Sequence, residues 1–496
     1  MGASLTQQVG KLVDDAIAAC EGTAGARRLV AARARLDEPL RVAIAGKIKA
    51  GKSTLLNALV GAELAPTDAS ECTHVVAWYR DGITYRVTLQ PRRGEARQVP
   101  FRRDGGAIDV DLDGMAPEEI ERLVIEWPAP SLRDVTLIDT PGLGSLTVEA
   151  SESTRAFLTG GPERPVQADA VLYLMRHLHA DDARFLEAFR DETARATPIN
   201  AIAIVSRADE VAGGRLDAME SAGRIAQRYR NDPTVRRLCQ TVLPVAGLLA
   251  ETGATLTEEE FRALQRLAGA PREDTDRLLL TADRFINSEA AITLTPLERG
   301  HLTARLGLFG VRLAVALLRD RVVTSAGQLA DELVVRSGIR ELRDVLRSHF
   351  GSRSDVLKAR SALVAVEHAL RDAGGPERER LLAEIERIEA SAHVFAEIRL
   401  LHTIRGAAVR LTDDETEAAE RLLGAQGAGL ADRAGLPPDA GVDELRDAML
   451  GALERWQQRA ENPLSSRDAV AASRVLARTC EGMLTDLGAM ARPTPG

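Results

Sequence analysis

Short apolar runs of strand length, separated by longer mixed segments, mark the first half of the chain. They lie at 42–45, 75–79, 83–89, 135–138, 170–174, 201–205 and 242–245. Most of the intervening segments are long enough for a crossover helix, which is typical of a mostly parallel sheet with helices on both faces. The Asp81-Gly82 pair between the second and third runs predicts a hairpin there.

Helical periodicity replaces the strand pattern after Gly247 and continues towards the C-terminus. A helical pattern also fills residues 5–36. The sequence therefore predicts an N-terminal helical segment over 1–37, an α/β domain over 38–350 and a C-terminal helical neck or stalk over 351–496. We expect the two terminal segments to pack together as a bundle.

Composition limits the classes of protein that fit. At 496 residues the chain exceeds what one hydrophobic core can hold, and its 45% hydrophobic and 28% charged residues are typical of soluble globular proteins. The net charge of -9 and the pI near 5.6 argue against a protein whose main role is to wrap nucleic acid, so we expect no nucleic-acid partner. The cysteines are too widely spaced for a zinc knuckle or a redox dithiol, and we expect buried or incidental thiols. They are Cys20, Cys72, Cys239 and Cys480.

Two segments could contact a membrane. The most apolar stretch, Leu306–Leu318, is interrupted by Arg312 and is shorter than the ~20 residues that cross a bilayer. It is apolar around nearly its whole circumference, which favours a buried helix over an interfacial one. A small basic cluster could meet anionic headgroups or be a solvated helix face. The cluster consists of Arg27, Arg28, Arg33 and Arg35.

A glycine-rich phosphate-binding motif, the P-loop, follows the first predicted strand. It matches G-x-x-x-x-G-K-S/T and reads Gly46-Lys47-Ile48-Lys49-Ala50-Gly51-Lys52-Ser53, with Thr54 next in the helical run that follows. The glycines let the backbone curl so that successive amides face a phosphate, and the helix dipole adds positive charge. We expect Lys52 to contact the β- and γ-phosphates and Ser53 to bind Mg²⁺. All residues from Gly46 to Thr54 are predicted to contact the nucleotide.

A second motif, Asp139-Thr140-Pro141-Gly142, ends the fourth predicted strand. These residues could form an ordinary turn. Their position downstream of the P-loop, at the end of a buried strand, instead favours a nucleotide switch. There Asp139 lies beside the metal and the Gly142 amide lies beside the γ-phosphate.

Selection of the base is assigned to the loop after the sixth predicted strand. Ser206-Arg207-Ala208-Asp209 resembles the N/T-K-x-D element with which GTPases bind guanine. The Asp209 carboxylate would accept from the ring N–H and the exocyclic amine of guanine, which adenine cannot offer in that arrangement. The stem of Arg207 can stack along the base. Ala246, after the last strand, is predicted to offer its backbone amide to the guanine carbonyl. The expected ligands are therefore GTP and GDP.

Two threonines, Thr67 and Thr73, could close over Mg²⁺ and the γ-phosphate, and Thr73 is preferred because it lies nearer the next strand. Leu143 stands where Ras-type GTPases carry the Gln that orients the attacking water. Lys49 could instead neutralise charge that develops between the β- and γ-phosphates, or it could face solvent and steer anionic ligands. The predicted catalytic set is Lys49, Lys52, Thr73 and Gly142. The predicted metal ligands are Ser53, Thr73 and Asp139.

Taken together, these residues resemble the bacterial dynamin-like GTPases. The likeness is carried by the P-loop with its continuation to Gly61, by residues 65–73, by residues 139–142 and by residues 206–210. Within that family the chain resembles the isoniazid-inducible dynamin-like proteins of mycobacteria and related actinobacteria, in particular the shorter type of the two that are encoded side by side.

The resemblance implies a P-loop GTPase that uses Mg²⁺ and turns over slowly without assembly. It also implies GTP-dependent self-dimerisation or pairing with a sister protein, and peripheral work at the cytoplasmic face of the plasma membrane during envelope stress. It gives Thr73 the role of switch I, whereas Ile48 stands where eukaryotic dynamins carry Gln. Two alternatives remain, a GTP-binding assembly partner with negligible turnover and a solo regulatory GTPase.

Overall fold

The computed structural model describes residues 4–65, 75–104, 107–140, 168–176, 182–183, 186–187, 200–289, 293–351, 353–370 and 376–490. The strands are β1 (Leu40–Gly46), β2 (Ala77–Asp81), β3 (Arg86–Pro91), β4 (Arg97–Gln98), β5 (Phe101–Asp104), β6 (Ala107–Val110), β7 (Ile120–Trp127), β8 (Val135–Asp139), β9 (Ala170–Met175), β10 (Ala201–Ser206) and β11 (Val242–Val245).

The helices before the C-terminal region are α1 (Leu5–Ala19), α2 (Ala24–Arg35), α3 (Lys52–Val60), α4 (Ala218–Asn231), α5 (Pro233–Leu238), α6 (Gly247–Thr255), α7 (Glu258–Gly269), α8 (Arg272–Leu278), α9 (Ala282–Asn287), α10 (Pro296–Arg319), α11 (Ala326–Arg336) and α12 (Ile339–Val345). Those that follow are α13 (Ser354–Ala369), α14 (Pro376–Ser391), α15 (His393–Arg405), α16 (Asp413–Leu422), α17 (Leu430–Ala434), α18 (Val442–Glu461) and α19 (Arg467–Met490).

The motifs that the sequence predicts to bind nucleotide follow strands of a mostly parallel sheet. Its nine strands, within the described part of the chain, run in the order β11-β10-β9-β1-β8-β2-β7-β3-β4, and β5 pairs separately with β6. From β11 to β8 every pairing is parallel. Strand β2 is antiparallel to β8 and parallel to β7, and β3 is antiparallel to both of its neighbours.

The central strands are buried on both faces, because their side chains alternate between two apolar clusters. Val42 and Ile44 of β1 belong to one cluster together with residues of α3, whereas Ala43 and Ala45 belong to another together with residues of α4 and α5. Strands β9 and β10 divide their residues between the same two clusters. Helices on both sides of the sheet therefore explain the continuous apolar runs in the sequence, and the predicted fold class is confirmed.

The hairpin predicted at Asp81-Gly82 is wrong. Strand β7 lies between β2 and β3 and pairs with both. The Asp81 carboxylate accepts a hydrogen bond from the backbone amide of Ala129 at 3.0 Å, so this carboxylate anchors the segment after β7. The sequence did not predict β7, in which buried and less buried positions alternate from Leu123 to Trp127, as in a strand.

Helices α6 to α11 surround a separate apolar cluster. Helix α10 supplies buried residues to this cluster over most of the stretch from Leu306 to Leu317. Among the described residues, α10 is the one helix long and apolar enough to cross a membrane, and half of its most apolar window is buried in the protein. Burial, rather than an interfacial position, was the favoured interpretation of Leu306–Leu318, and the structure confirms it.

The terminal helices pack in two groups. Helices α1 and α2 lie against α13, and α1 also contacts α14, so this group continues the apolar cluster of the sheet. Helices α15 to α19 enclose a core of their own around Trp456. Arg405 connects the second group to the sheet, because its buried guanidinium donates to the carbonyls of Cys239 and Gln240 just before β11.

Part of the N-terminal basic cluster is used in ion pairs. Arg33 pairs with Asp14 and Asp37, and Arg35 pairs with the buried carboxylate of Asp169 at 2.5 Å. Three described cysteines, which are Cys20, Cys239 and Cys480, are buried and free, as expected. Cys72 lies outside the described residues.

Candidate functional site

The P-loop connects β1 to α3 through backbone conformations that favour glycine. Gly46 has a φ of 152°, and a Cβ at this position would lie 2.6 Å from the carbonyl oxygen of Leu174 on β9. Gly51 has a φ of 92° and immediately precedes α3. Between them, Lys49 is exposed and adopts a left-handed φ of 60°. The loop curls closely over β9 and delivers the chain into a helix N-terminus, which is a favourable place for phosphate.

Lys52, the first residue of α3, points back over this loop. Its Nζ lies 3.4 Å from the carbonyl oxygen of Gly46 and 3.5 Å from that of Lys47. Burial lowers the pKa of Lys52, and the nearby Asp139 carboxylate opposes that effect. An ammonium group is thus held at the inner side of the loop, within reach of an anion that the loop amides would bind.

Ser53 and Asp139 meet beside the P-loop. The Ser53 hydroxyl donates to Oδ2 of Asp139 at 3.2 Å, and the Thr140 hydroxyl donates to the carbonyl oxygen of Ile44 at 2.8 Å. Oδ1 of Asp139 is enclosed and has no hydrogen-bond partner among the described residues. Burial raises the pKa of Asp139 to about 6, although Lys52 opposes the rise. An unpartnered carboxylate oxygen next to a hydroxyl is the hard oxygen donor set that Mg²⁺ prefers, so these residues fit magnesium.

The variable positions of the P-loop differ in their surroundings. The Nζ of Lys47 lies 3.5 Å from Oδ1 of Asp182, a buried carboxylate that also accepts from the hydroxyl of Tyr173 at 2.7 Å. Ile48, by contrast, is 46% exposed. Lys47 therefore ties the loop to the segment after β9, whereas Ile48 projects outward.

A cavity of about 110 Å³ opens next to the P-loop, at the carboxyl ends of β9, β10 and β11. Its walls come from the P-loop and α3, from β9, and from the loops after β10 and β11. The lining residues are Ala50, Gly51, Thr54, Leu55, Leu174, Ile204, Ser206, Arg207, Asp209, Glu210, Val245, Gly247 and Leu248. A mixed apolar cleft at the carboxyl edge of a parallel sheet is where such folds bind a base.

Asp209 is the buried acid of this cavity, with 5% of its surface exposed. Burial raises the pKa of Asp209 to about 6, with a contribution from neighbouring Glu210 and opposition from Arg207. The Glu210 carboxylate accepts from Arg207 at 2.8 Å and from Arg176 at 3.0 Å. This pair of arginines fixes the start of the loop, so that the Arg207 side chain lies along one wall of the cavity.

The loop after β11 contributes Gly247 and Leu248 to the cavity wall, whereas the backbone N–H of Ala246 donates to the carbonyl oxygen of Ser337 at 2.9 Å. A Cβ at Gly247 would lie 3.2 Å from Cγ2 of Thr54, so glycine permits the close approach of α3 to this loop. An amide already bonded to a carbonyl is not offered to a base. The predicted contact between Ala246 and a base stays a prediction, and Gly247 and Leu248 are the residues of this loop that line the cavity.

Four residues singled out in the sequence lie outside the described part of the structure. They are Thr67, Thr73, Gly142 and Leu143. The structure adds Asp182, which sequence reasoning missed, and it adds a role for Glu210, which the sequence analysis cited only as part of the motif at 206–210. Glu210 directly follows the predicted base-binding acid and could have been noticed there, but no pattern in the sequence connects Asp182 with Lys47.

The segment that carries the P-loop matches a known protein family. The Dynamin family model matches residues 42–197, which include the P-loop and Asp139. A solved structure from an oligomerised bacterial dynamin pair, described as a mechanism for the long-range sensing and tethering of membranes, aligns with 98% of this chain and 75% of that chain. The sequence identity is 12% and the TM-score is 0.33.

Curated relatives extend the match along the chain. The isoniazid-induced protein IniC of Mycobacterium tuberculosis is 41% identical over 457 residues, which is 92% of each chain. The isoniazid-induced protein IniA of the same organism is 34% identical over 161 residues, covering 29% of this chain and 23% of that one. A bacterial dynamin-like protein of Nostoc punctiforme is 24% identical over 295 residues, covering 56% and 40% respectively. The protein belongs to the dynamin family, and within it to the bacterial dynamin-like proteins that include the isoniazid-induced IniC.

Proposed function

We propose that the protein binds GTP with Mg²⁺, hydrolyses it to GDP, and uses the nucleotide state to control assembly at the cytoplasmic membrane. One observation carries the proposal. The Ser53–Asp139 pair lies beside a P-loop, and the same cleft continues into a cavity that contains the buried carboxylate of Asp209. This arrangement supports the binding of phosphates, a divalent cation and a guanine base next to one another.

At the phosphate end, the backbone amides of the P-loop and the N-terminus of α3 would bind the β-phosphate, and Lys52 would bridge the β- and γ-phosphates. Ser53 and Asp139 are the residues that would hold Mg²⁺. When bound, Mg²⁺ supplies positive charge that neutralises the phosphate oxygens. Because Lys52 already lies within 3.5 Å of two loop carbonyls, it needs little movement to meet an anion there.

At the base end, ionised Asp209 would accept two hydrogen bonds from guanine. Adenine would leave the buried carboxylate without these partners, and an unpaired buried acceptor is costly. Gly247 and Leu248, which line the cavity, would contact the other edge of the base. Arg207, held by Glu210, would cover one face of the ring.

For hydrolysis we propose that Lys49 stabilises charge that develops between the β- and γ-phosphates. It lies at the exposed rim of the P-loop, where its ammonium can reach across a bound triphosphate. Thr73 and Gly142 remain the proposed switch residues. The 46% exposure of Ile48, an apolar side chain that cannot orient water, favours a slow basal rate. It also supports the second candidate, a GTP-binding assembly partner with negligible turnover.

For assembly we propose self-dimerisation through the nucleotide faces, or pairing with a sister dynamin-like protein. The extended similarity to IniC and the shorter similarity to IniA support this proposal. We further propose peripheral attachment to the inner face of the plasma membrane and a role in envelope stress. The names of both relatives, which describe them as isoniazid-induced, support the stress role. Membership of the dynamin family favours these ideas over a solo regulatory GTPase.

The test is GTP turnover by the full-length protein, alone and with anionic liposomes, with its sister protein, or with both. We expect slow basal turnover that rises when either addition promotes assembly. Tight GTP binding without turnover under every condition would support the assembly-partner candidate. A turnover rate that stays the same after both additions would contradict the coupling between nucleotide state and assembly.

A further inference from the structure

Helix α10 lies behind the base end of the cleft and breaks there. Gly307, within the helix, has φ 63° and ψ 173°, which are not helical values. A Cβ on Gly307 would lie 3.4 Å from Oδ2 of Asp209 and 3.8 Å from Cδ1 of Leu248. Both of those residues line the base cavity. The break therefore brings the backbone of α10 against the carboxylate that we propose reads the base.

Arg312, one turn beyond the break, ties the loop after Asp209 to the helices behind it. Its Nη1 donates to the carbonyl oxygens of Gly214 at 2.6 Å and Gly213 at 3.1 Å. On the other side of the guanidinium, Nε donates to the carbonyl oxygen of Leu279 at 2.9 Å and Nη2 donates to that of Leu280 at 3.1 Å. Because guanidinium is planar and rigid, donors on two sides of one group fix the loop relative to the helices.

The same helix supports the second loop at the base end. A Cβ at Gly310 would lie 2.9 Å from Cδ1 of Leu249, so α10 and α6 approach closely at this glycine. The hydroxyl of Thr252 on α6 also donates to the carbonyl oxygen of Arg305 on α10. Helix α6 begins at Gly247, which lines the cavity. Helix α10 thus contacts both of the loops that form the base end.

We infer that α10 is a specificity element, in which Gly307 and Arg312 act as positioning residues that hold Asp209 in the orientation that accepts both guanine N–H groups. This inference rests on the proposed function. A loop that shifts by about 1 Å can still sit beside bound phosphates, but it loses the hydrogen-bond geometry that distinguishes one base from another. The apolar character of α10 then follows from its place in the core between the two loops.

Arg319 provides a matched control on the same helix. Its guanidinium donates to the carbonyl oxygens of Ala268 and Ala270, each at 3.0 Å, and to the hydroxyl of Thr275 at 2.9 Å. It therefore ties α10 to other helices in the same way as Arg312, but its partners belong to α7, α8 and the turn between them. If both arginines have only a structural role, replacing either one should change nucleotide binding to a similar extent. If Arg312 supports specificity, its replacement should change the preference between nucleotides, and replacement of Arg319 should not.

The experiment compares dissociation constants for GTP and for inosine triphosphate, which lacks the exocyclic amine of guanine. Their ratio reports the hydrogen bond between Asp209 and that amine. In Arg312→Met we expect the ratio to fall at least about fivefold, because GTP loses two hydrogen bonds to Asp209 whereas inosine triphosphate, which keeps the ring N–H, loses one. In Arg319→Met we expect the wild-type ratio. Equal weakening of both nucleotides in Arg312→Met, or an equal change of ratio in Arg319→Met, would overturn the inference.

Two milder variants keep the test decisive if Arg312→Met does not fold. Arg312→Lys retains a positive charge and can reach one of the carbonyls, so we expect an intermediate ratio. Gly307→Ala adds a methyl group beside the Asp209 carboxylate at a positive φ, and we expect the ratio to fall. Ratios equal to wild type in both variants would refute the role of α10. A wild-type protein that binds the two nucleotides equally would instead contradict the proposed reading of guanine by Asp209.

Discussion

The two ends of the nucleotide cleft are built in different ways. The phosphate end is formed largely by one continuous stretch, Gly46–Thr54, with one carboxylate added from the end of β8. The base end combines the loops after β10 and β11 with the break in α10, and these segments lie far apart in the sequence. Backbone amides dominate the first end, and side chains held by tertiary contacts dominate the second.

This difference has a functional consequence. Backbone amides in a tight loop bind any triphosphate, because every nucleotide carries the same phosphates. We propose that discrimination between bases depends on the buried Asp209, whose loop is held by the Arg207–Glu210 pair on one side and by Arg312 on the other. Damage at the phosphate end should therefore weaken all nucleotides together, whereas damage at the base end should change their ranking.

The largest effect is expected from Lys52→Ala at the phosphate end. Loss of a charged hydrogen-bond donor to the phosphates costs up to roughly 3 kcal/mol, or about 150-fold in affinity. Titration calorimetry with Mg²⁺ should show GTP and ATP weakened by similar factors, so that the residual preference for GTP is retained. Near-normal GTP affinity in this variant would show that the loop does not bind the phosphates as proposed.

Asp209→Asn should give the next largest effect and should change the order of affinities for different nucleotides. The amide presents a donor to the guanine amine, so GTP affinity should fall by roughly 2 kcal/mol, or about 30-fold. Xanthosine triphosphate, which carries a carbonyl in place of that amine, should bind the variant better than the wild type. Competition binding with the two nucleotides measures this reversal. Equal affinities of wild type and variant for both ligands would remove Asp209 from base recognition.

The same contrast explains how much of the site the sequence could predict. A P-loop requires glycines and a lysine at fixed spacing, so Gly46, Gly51 and Lys52 were recognisable without any tertiary information. The central parallel strands were equally clear, because strands buried on both faces are continuously apolar. Local chemistry with a fixed spacing can be read from a single chain.

What the sequence analysis missed depends on contacts between distant segments. The β2–β3 hairpin was predicted because the two runs are neighbours in sequence, but β7 pairs with both of them in space. In the sequence, Arg312 was noticed only because it interrupts an apolar run and so argues against a membrane span. Its role depends on its hydrogen-bond partners Gly213 and Gly214, which lie about a hundred residues away in the chain. Gly307 within a helical pattern was a usable signal, since an isolated glycine there often marks a packing constraint.

A smaller effect is expected from Lys49→Ala, which separates binding from chemistry at the phosphate end. If the exposed Lys49 side chain stabilises only the charge that develops during the reaction, its loss should keep GTP affinity within about twofold of the wild-type value and should slow turnover by about tenfold. Single-turnover kinetics at saturating GTP measure the chemical step directly. Lys49→Arg, which keeps the positive charge, is the control and should recover part of the rate. Unchanged turnover in Lys49→Ala would exclude a role for Lys49 in the chemical step and would support the alternative that it only steers anionic ligands.

The smallest effect concerns pH at the base end. Burial raises the pKa of Asp209 to about 6 in the free protein. Guanine needs the ionised carboxylate, so protonation competes with binding as the pH falls through about 6. Between pH 7 and pH 5.5 the ionised fraction of a group with this pKa falls about fourfold, and the contribution of Asp209 to GTP affinity should fall with it. Calorimetry at the two pH values measures the change.

The Asp209→Ala variant isolates this contribution, because titration of the nucleotide phosphates and of Asp139 affects both proteins alike. The ratio of wild-type to variant affinity should therefore shrink by about fourfold between pH 7 and pH 5.5. The stability of the nucleotide-free protein should move in the opposite direction. A carboxyl whose pKa is raised in the folded state takes up its proton before the unfolded chain does, so its contribution to stability grows as the pH falls through about 6 and is lost as the pH rises. Thermal unfolding of wild type and variant at both pH values checks that sign, and parallel changes in stability and affinity would show that Asp209 is not the titrating group.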